Sequence, residues 1–211
     1  NQTNKVFPRR GRFSGGYLVS LVCVCSTMAF LAFKPALQKN KTPNIVYILA
    51  DDLGYGDVSI YNPKGKISTP NIDKLAAQGM RFTDAHSPSS VCTPTRYALL
   101  TGRYPWRSRL PVGVLRGYSR TLIEADRPTV ASLLKGQGYQ TGVVGKWHLG
   151  LDWEMQQGKE ELLKTENYGI KTEMKPEDID FSRRPIGGPI TAGFDYSYVL
   201  PASLDRSEEH T

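Results

Sequence analysis

Residues 44–57 read NIVYILADDLGYGD and decide the expected fold class. The first part, residues 44–50, is a continuous run of β-branched and apolar residues without alternation. A strand that is buried on both faces has this composition, because helices cover both sides of a parallel sheet. We therefore predict an α/β fold with a mostly parallel sheet sandwiched by helices.

The acidic pair Asp51 and Asp52 comes directly after this run. Adjacent side chains of a regular strand point to opposite faces, so both carboxylates can serve one site only if the backbone turns there. Gly54 and Gly56 allow such a turn. Hard divalent cations bind several carboxylate oxygens, and open α/β sheets place ligands at the carboxyl ends of strands. The pair is either part of a cation site or a solvated acidic loop.

The segment from Cys92 to Arg96, with the sequence CTPTR, predicts a helix start beside an anion site. Proline is tolerated in the first turn of a helix, and helix N-termini favour negative charge. In a helix that begins at about residue 93, Cys92 and Arg96 lie one turn apart on the same face. Cys92 is therefore either a small buried thiol or a modified residue whose side chain Arg96 can reach.

Lys146 and His148 end the second apolar run of the chain, which covers residues 139–150. A strand period of two places both on one face and Trp147 on the other. A cation beside a titratable imidazole suits charge neutralisation and proton transfer. The alternative is a surface lysine and a packed histidine.

Other patterns predict the elements between these runs. Thr69, Pro70 and Gly79 have the positions of an N-cap, a first helical residue and a stop signal, so residues 69–79 predict a helix. Its apolar face would consist of Ile72, Leu75 and Ala76. We also predict strands at 80–85 and 193–201, a helix at 128–135, and a short helix at 158–164 within an irregular excursion at 151–190.

The net charge of +7 belongs to the first 50 residues, which hold seven basic side chains and no acidic one. The rest of the chain balances 20 basic against 20 acidic side chains, which argues against a nucleic-acid partner. The basic segment precedes an uncharged, apolar run at 13–33, the order of an export leader. That run is either a cleaved signal peptide or a transmembrane anchor. We expect an exported protein, periplasmic, extracellular or lysosome-like, that meets the membrane only through this segment.

The expected organisation has three parts. Residues 1–43 are expected to be the leader and a linker, and residues 44–205 the folded part that holds the candidate site residues. Residues 206–211 match one reading frame of a common sequencing adapter and are expected to be a non-native tail. Cys23 and Cys25 lie within the leader, so the mature part holds Cys92 without a disulfide partner.

Four separated segments together resemble the type I sulfatases, formylglycine-dependent hydrolases of the alkaline phosphatase superfamily. The first two segments are the predicted strand with its Asp-Asp-Leu-Gly-Tyr-Gly-Asp loop at 44–57 and the Thr-Pro-Asn-Ile-Asp helix at 69–86. The other two are the C-x-P-x-R signature with its Leu-Leu-Thr-Gly-Arg extension at 92–103 and the Gly-Lys-Trp-His-Leu-Gly segment at 145–150. The resemblance covers about residues 44–205 and implies an alkaline phosphatase/sulfatase-like fold.

The resemblance also implies a nucleophile and a metal. In that family the signature cysteine is oxidised to formylglycine, so Cys92 would be converted by a formylglycine-generating enzyme. An oxygen of the hydrated aldehyde would attack the sulfur of a sulfate ester while calcium polarises the sulfate oxygens. Asp51, Asp52 and the modified residue 92 would supply part of the calcium shell.

The remaining implied roles fall on four side chains. Arg96 would hold the geminal diol, and Lys146 would bind the sulfate. His148 would assist the proton removal that expels sulfate and restores the aldehyde. Ser203 resembles a polar contact to the active site in some members.

Members of that family are usually much longer, and their later metal ligands would lie beyond Asp205. We therefore expect an N-terminal fragment with an incomplete sheet, inactive and aggregation-prone as given. The implied substrate of the complete arylsulfatase-like enzyme is a sulfated small molecule or a sulfated glycan. The alternatives are a phosphodiesterase or phosphonate monoester hydrolase of the same superfamily, and a non-enzymatic, membrane-tethered module in which Cys92 stays a thiol.

Overall fold

The structure is a computed structural model that describes residues 42–110, 112–165 and 174–203. The apolar run of the expected leader, at 13–33, and the expected tail at 206–211 lie outside these residues. No helix among the described residues is both long enough and apolar enough to cross a bilayer.

The chain divides into two units, residues 1–49 and 50–211. In the first unit, residues 42–49 have no regular secondary structure and are exposed. The predicted strand at 44–50 is therefore wrong. A strand buried on both faces needs hydrogen-bonded neighbours along its edges, and the described part of the chain forms a single ladder, which lies elsewhere.

Short helices dominate the second unit. Within the described residues, the α-helices are α1 (Pro70–Gln78), α2 (Cys92–Thr101), α3 (Val130–Gly136) and α4 (Leu162–Thr165). Short 3-10 turns lie at Tyr55–Asp57, Pro105–Arg107 and Pro176–Asp178. The helices predicted from the caps and from the Cys92 segment are confirmed, and α4 overlaps the short helix predicted in the excursion.

Helix α1 begins at Pro70 as predicted, but its N-cap works differently. The Thr69 hydroxyl accepts a hydrogen bond from the Ser59 amide at 2.8 Å and caps no amide of α1. The predicted apolar face is open, since Ile72 is 44% and Leu75 is 69% exposed. Polar contacts at its first turn therefore hold this helix in place. Within the described residues, its apolar face is not buried.

The sheet of the second unit consists of β1 (Gly142–Lys146) and β2 (Tyr196–Leu200), which pair in parallel. Both strands fall within predicted ones. Val144 and Tyr198 are directly paired and remain 71% and 74% exposed. The fold is thus mixed α/β with a small parallel sheet, and helices do not sandwich that sheet within the described residues.

Strand β1 ends at Lys146 because the chain turns at His148, whose φ of 52° lies in the left-handed region. The prediction had extended this strand to Gly150. The amides of Trp147 and His148 still donate to the carbonyls of Leu200 and Pro201, at 2.9 and 3.0 Å. The parallel pairing therefore continues past β1, while the expected alternation of faces ends there.

The predicted strand at 80–85 is wrong. These residues are exposed and irregular. Side chains hydrogen-bond this segment: Tyr61 donates its hydroxyl to Phe82 O, and Arg81 donates to Ile60 O, both at 2.8 Å. Such contacts hold an extended segment without forming a strand ladder.

The core of the second unit lies under α2 and the segment that follows β1. Trp147 is 2% exposed and packs edge-on against Phe194, with 6.2 Å between the ring centroids. Its indole N–H donates to Gly150 O at 2.9 Å. This apolar cluster fixes α2 beside the end of β1. Its buried members are Tyr97, Leu110, Leu115, Leu122, Ile123, Ala131, Trp147, Leu149, Leu151, Ala192 and Phe194.

We expect Gly150→Ala to destabilise the fold by at least about 3 kcal/mol. Gly150 has a φ of 76°, and an added Cβ would lie 1.9 Å from the Arg120 carbonyl oxygen. Gly138→Ala is the matched control, since its φ is 84° but its Cβ would meet open space, which limits the cost to about 1–2 kcal/mol. Chemical denaturation of both variants measures the difference; equal costs would contradict the clash.

Candidate active site

Lys146 lies at the centre of the predicted site. Its Nζ is 2.8 Å from Asp51 Oδ2, 3.2 Å from Cys92 Sγ and 3.2 Å from Ser203 Oγ. The lysine side chain is only 16% exposed. The structure thus brings together four predicted site residues that are widely separated in the chain.

The fold explains this convergence. Cys92 is the first residue of α2, Lys146 is the last residue of β1, and Ser203 follows β2. Parallel strands end at the same edge of a sheet, so the residues after β1 and β2 lie near each other. The buried core places the start of α2 at that edge.

Arg96 lies one helical turn after Cys92 and reaches the same carboxylate. Its Nη2 is 3.5 Å from Asp51 Oδ2, and the Cys92 thiol is 3.9 Å from Asp51 Oδ1. The second guanidinium nitrogen, Nη1, donates to Lys146 O at 2.6 Å. Since the Arg96 side chain is 12% exposed, these contacts hold its cation in one place.

The charges of the cluster stabilise one another. The pKa of Asp51 is lowered, first by the hydrogen bond from Lys146 and then by nearby positive charge, against an opposing effect of burial. Burial alone would lower the pKa of Lys146, but its hydrogen bonds to Asp51 and Cys92 raise it overall. Both groups are therefore charged at neutral pH.

The backbone turn that two adjacent carboxylates require occurs at Asp52 itself. Its φ is 57°, a left-handed conformation that aspartate tolerates better than most residues. Asp52 is exposed, whereas Asp51 makes the contacts to Lys146 and Arg96. The sequence argument had assigned this turn to the neighbouring glycines.

His148 is fully buried. Its Nε2 lies 2.8 Å from Leu115 O, and its own carbonyl accepts the Thr93 hydroxyl at 2.9 Å. Its catalytic role stays a prediction.

Thr93 and Leu115 are site residues that sequence reasoning missed. Both are fully buried, and the Leu115 amide donates to Thr93 Oγ1 at 3.2 Å. Thr93 occupies an unspecified position of the signature, and Leu115 contributes only backbone atoms. A polar β-branched residue in the first turn of a helix was the one available signal.

Glu124 was missed as well. It accepts the Tyr97 hydroxyl at 3.1 Å, and Arg103 and Arg127 approach it at 3.5 Å. The pKa of Tyr97 is raised by burial and, after that, by the negative charge of Glu124. This cluster holds the middle of α2 in place, whereas other contacts hold the N-terminus of the helix.

The described residues fit only part of a calcium site. Among them, no three His, Cys, Asp or Glu side chains are grouped so that they could hold a metal ion. Calcium takes six to eight oxygen ligands. Asp51 offers a carboxylate beside the cations of Lys146 and Arg96, and the exposed carboxylate of Asp52 is its neighbour in the chain. A complete shell therefore requires further ligands.

Comparison with known proteins identifies the family of the chain. The family model described as Sulfatase matches residues 43–188, which is more than half of the chain. The chain belongs to the sulfatase family. The resemblance inferred from the four sequence segments is thereby confirmed.

Individual relatives of this sulfatase-family chain match over limited lengths. An N-acetylgalactosamine-6-O-sulfatase of Bacteroides thetaiotaomicron is 44% identical over 169 residues, 80% of this chain and 28% of the relative. Arylsulfatase A of Bos taurus is 52% identical over 121 residues, 57% of this chain and 24% of the relative.

A solved structure, titled for the metabolism of multiple glycosaminoglycans by Bacteroides thetaiotaomicron, matches with a TM-score of 0.61 and 43% identity. The match covers 79% of this chain and 30% of the solved chain. The chain thus spans less than a third of the length of these relatives.

The Asp51–Lys146 pair should stabilise the fold evenly between about pH 5 and 9. Its contribution should vanish as pH falls from 3.8 through the lowered pKa of Asp51, and as pH rises from 10.5 through the raised pKa of Lys146. Because the Asp51 side chain is 40% exposed, solvent screening limits the effect to about 1 kcal/mol. Chemical denaturation of Asp51→Asn and of the unsubstituted protein, both with a chelator present, measures the difference in their free energies of unfolding at each pH. A difference that changes steadily through neutral pH would argue against this assignment.

Proposed function

We propose that the full-length protein containing this chain hydrolyses sulfate esters, with residue 92 as the nucleophile after oxidation of its cysteine to formylglycine. The observation that carries the proposal is the placement of Cys92 in a sulfatase-family chain. Its sulfur lies 3.2 Å from the Lys146 ammonium, at the N-terminus of a ten-residue helix. Cations and a helix N-terminus both favour an anionic group at this position.

Lys146 and Arg96 form the sulfate-binding side of the proposed site. A sulfate monoester carries a negative charge that both cations attract, and their low exposure weakens screening by water. Arg96 is held by Lys146 O and Asp51, so it needs little reorganisation to contact the hydrated residue 92. Ser203 adds a hydroxyl beside Lys146.

His148 is the proposed proton-transfer group. A carbonyl oxygen only accepts hydrogen bonds, so Nε2 of His148 donates to Leu115 O. We assign to the imidazole of His148 the uptake of the proton when sulfate leaves and the aldehyde is restored.

Calcium is the proposed cofactor, and when bound it would polarise the sulfate oxygens. Asp51, Asp52 and the modified residue 92 would hold it in part. Asp51 is also held by Lys146 and Arg96, which keeps its carboxylate in the site although 40% of the side chain is exposed.

The proposed substrate is a sulfated small molecule or a sulfated glycan. Support comes from relatives named for both kinds, arylsulfatase A and N-acetylgalactosamine-6-O-sulfatase. A formylglycine-generating enzyme is the proposed modifying partner. Export of the protein, with cleavage or retention of the segment at 13–33, is proposed from the leader pattern.

Mass spectrometry of the peptide around Cys92 tests the nucleophile. We expect the lower mass of formylglycine in the active full-length protein, and neither the modification nor turnover in Cys92→Ala. Assays with an aryl sulfate and a phosphate diester then test the reaction. Faster turnover of the diester would transfer the function to phosphodiesterase chemistry, and an unmodified thiol in active protein would exclude the proposed nucleophile.

Replacing Lys146 by alanine should lower kcat of the full-length enzyme about 100- to 1,000-fold, because the substitution removes a partly buried cation from the reacting group. Lys164→Ala is the matched control, since that lysine is 73% exposed and pairs with Glu161 on the surface. Steady-state kinetics on an aryl sulfate should show Lys164→Ala within about twofold of the parent. Near-normal turnover of Lys146→Ala would refute its assignment.

A further inference from the structure

Three fully buried residues close a ring of hydrogen bonds beside Cys92. Thr93 donates its hydroxyl to His148 O at 2.9 Å and accepts the Leu115 amide at 3.2 Å. The imidazole of His148 in turn bonds Leu115 O at 2.8 Å. The Thr93 hydroxyl therefore joins the first turn of α2, the loop at Leu115 and the end of β1.

The ring includes a residue in a costly conformation. His148 has a φ of 52°, which few residues other than glycine adopt. Its amide is held by Pro201 O, its carbonyl by Thr93 and its ring by Leu115 O. Such a conformation persists only where the surroundings fix it, and residues of this kind concentrate at functional sites.

A second hydrogen bond also joins α2 to the end of β1. Arg96 donates to Lys146 O at 2.6 Å, so α2 is bonded to carbonyls on both sides of Trp147. These two bonds set where the side chain of Cys92 lies relative to the ammonium of Lys146. Of the two donors, Arg96 also touches Asp51, whereas the Thr93 hydroxyl has both its contacts within the ring.

We propose that Thr93 is a positioning residue of the active site. Its hydroxyl holds His148 in the left-handed conformation and sets the spacing between residue 92 and Lys146. This inference rests on the proposed function for its kinetic readout, but its structural claim is independent of the ester that is cleaved. Thr93 does not touch the substrate in this assignment; it acts through His148 and the start of α2.

The test compares three variants of the full-length protein. Thr93→Val removes the hydroxyl and keeps the β-branched shape, while Thr93→Ser keeps the hydroxyl. Thr129→Val is the matched control, because Thr129 is also buried and bonds Ala192 O and the Ser132 amide by its hydroxyl. For each variant, kcat on an aryl sulfate is divided by the formylglycine content measured by mass spectrometry, and KM is compared directly.

We expect Thr93→Val to lower kcat about 10- to 100-fold with little change in KM, because misplaced groups lose transition-state contacts. Thr93→Ser should restore kcat to within about twofold, and Thr129→Val should lower Tm without lowering kcat by more than about twofold. A Thr93→Val enzyme with normal kcat, or an equal loss in Thr129→Val, would overturn the proposal. So would failure of the serine variant to restore activity.

Hydrogen exchange of the Leu115 amide separates this proposal from the proposed function. If the unsubstituted protein cleaves neither an aryl sulfate nor a sulfated glycan, the sulfatase function fails while the exchange experiment still applies. We expect the Leu115 amide to exchange at least about tenfold faster in Thr93→Val than in Thr129→Val, since it loses its acceptor. Equal exchange in the two variants would overturn the positioning role of Thr93.

Discussion

Two hydrogen bonds join the start of α2 to the end of β1, and the candidate site depends on both. Arg96 donates to Lys146 O at 2.6 Å, and Thr93 donates to His148 O at 2.9 Å. The residue between the two carbonyls, Trp147, is anchored in the core. Loss of either donor leaves a poorly hydrated carbonyl without its bond, a cost of about 1–3 kcal/mol. The fold thus controls the distance from Cys92 to Lys146 through polar contacts backed by apolar packing.

The charge of the cluster suits the proposed substrate. Lys146 and Arg96 share the Asp51 carboxylate, so these three side chains together carry one positive charge beside residue 92. That charge attracts the negative charge of a sulfate monoester, as the charge of the proposed calcium ion would. Electrostatic complementarity of this kind favours the correct ligand more than it strengthens binding in general.

The sequence carried the local signals but not the long-range contacts. Pro70 and Gly79 predicted α1 because caps act within a few residues, and CTPTR predicted the start of α2. The strand at 44–50 was wrong because strand formation depends on partners that a run of apolar residues cannot specify. The role of Thr93 was missed for a related reason, since its partners are a distant amide and a distant carbonyl.

The positions of the site residues also determine when the site can form. The contacts of Lys146 reach back to Asp51 and forward to Ser203, so they close loops that contain most of the described chain. Pairing of β1 with β2 likewise joins segments about fifty residues apart. Contacts between distant segments form slowly, because the entropy of loop closure is lost before they add stability. We therefore expect the cluster around Lys146 to assemble among the last parts of the fold.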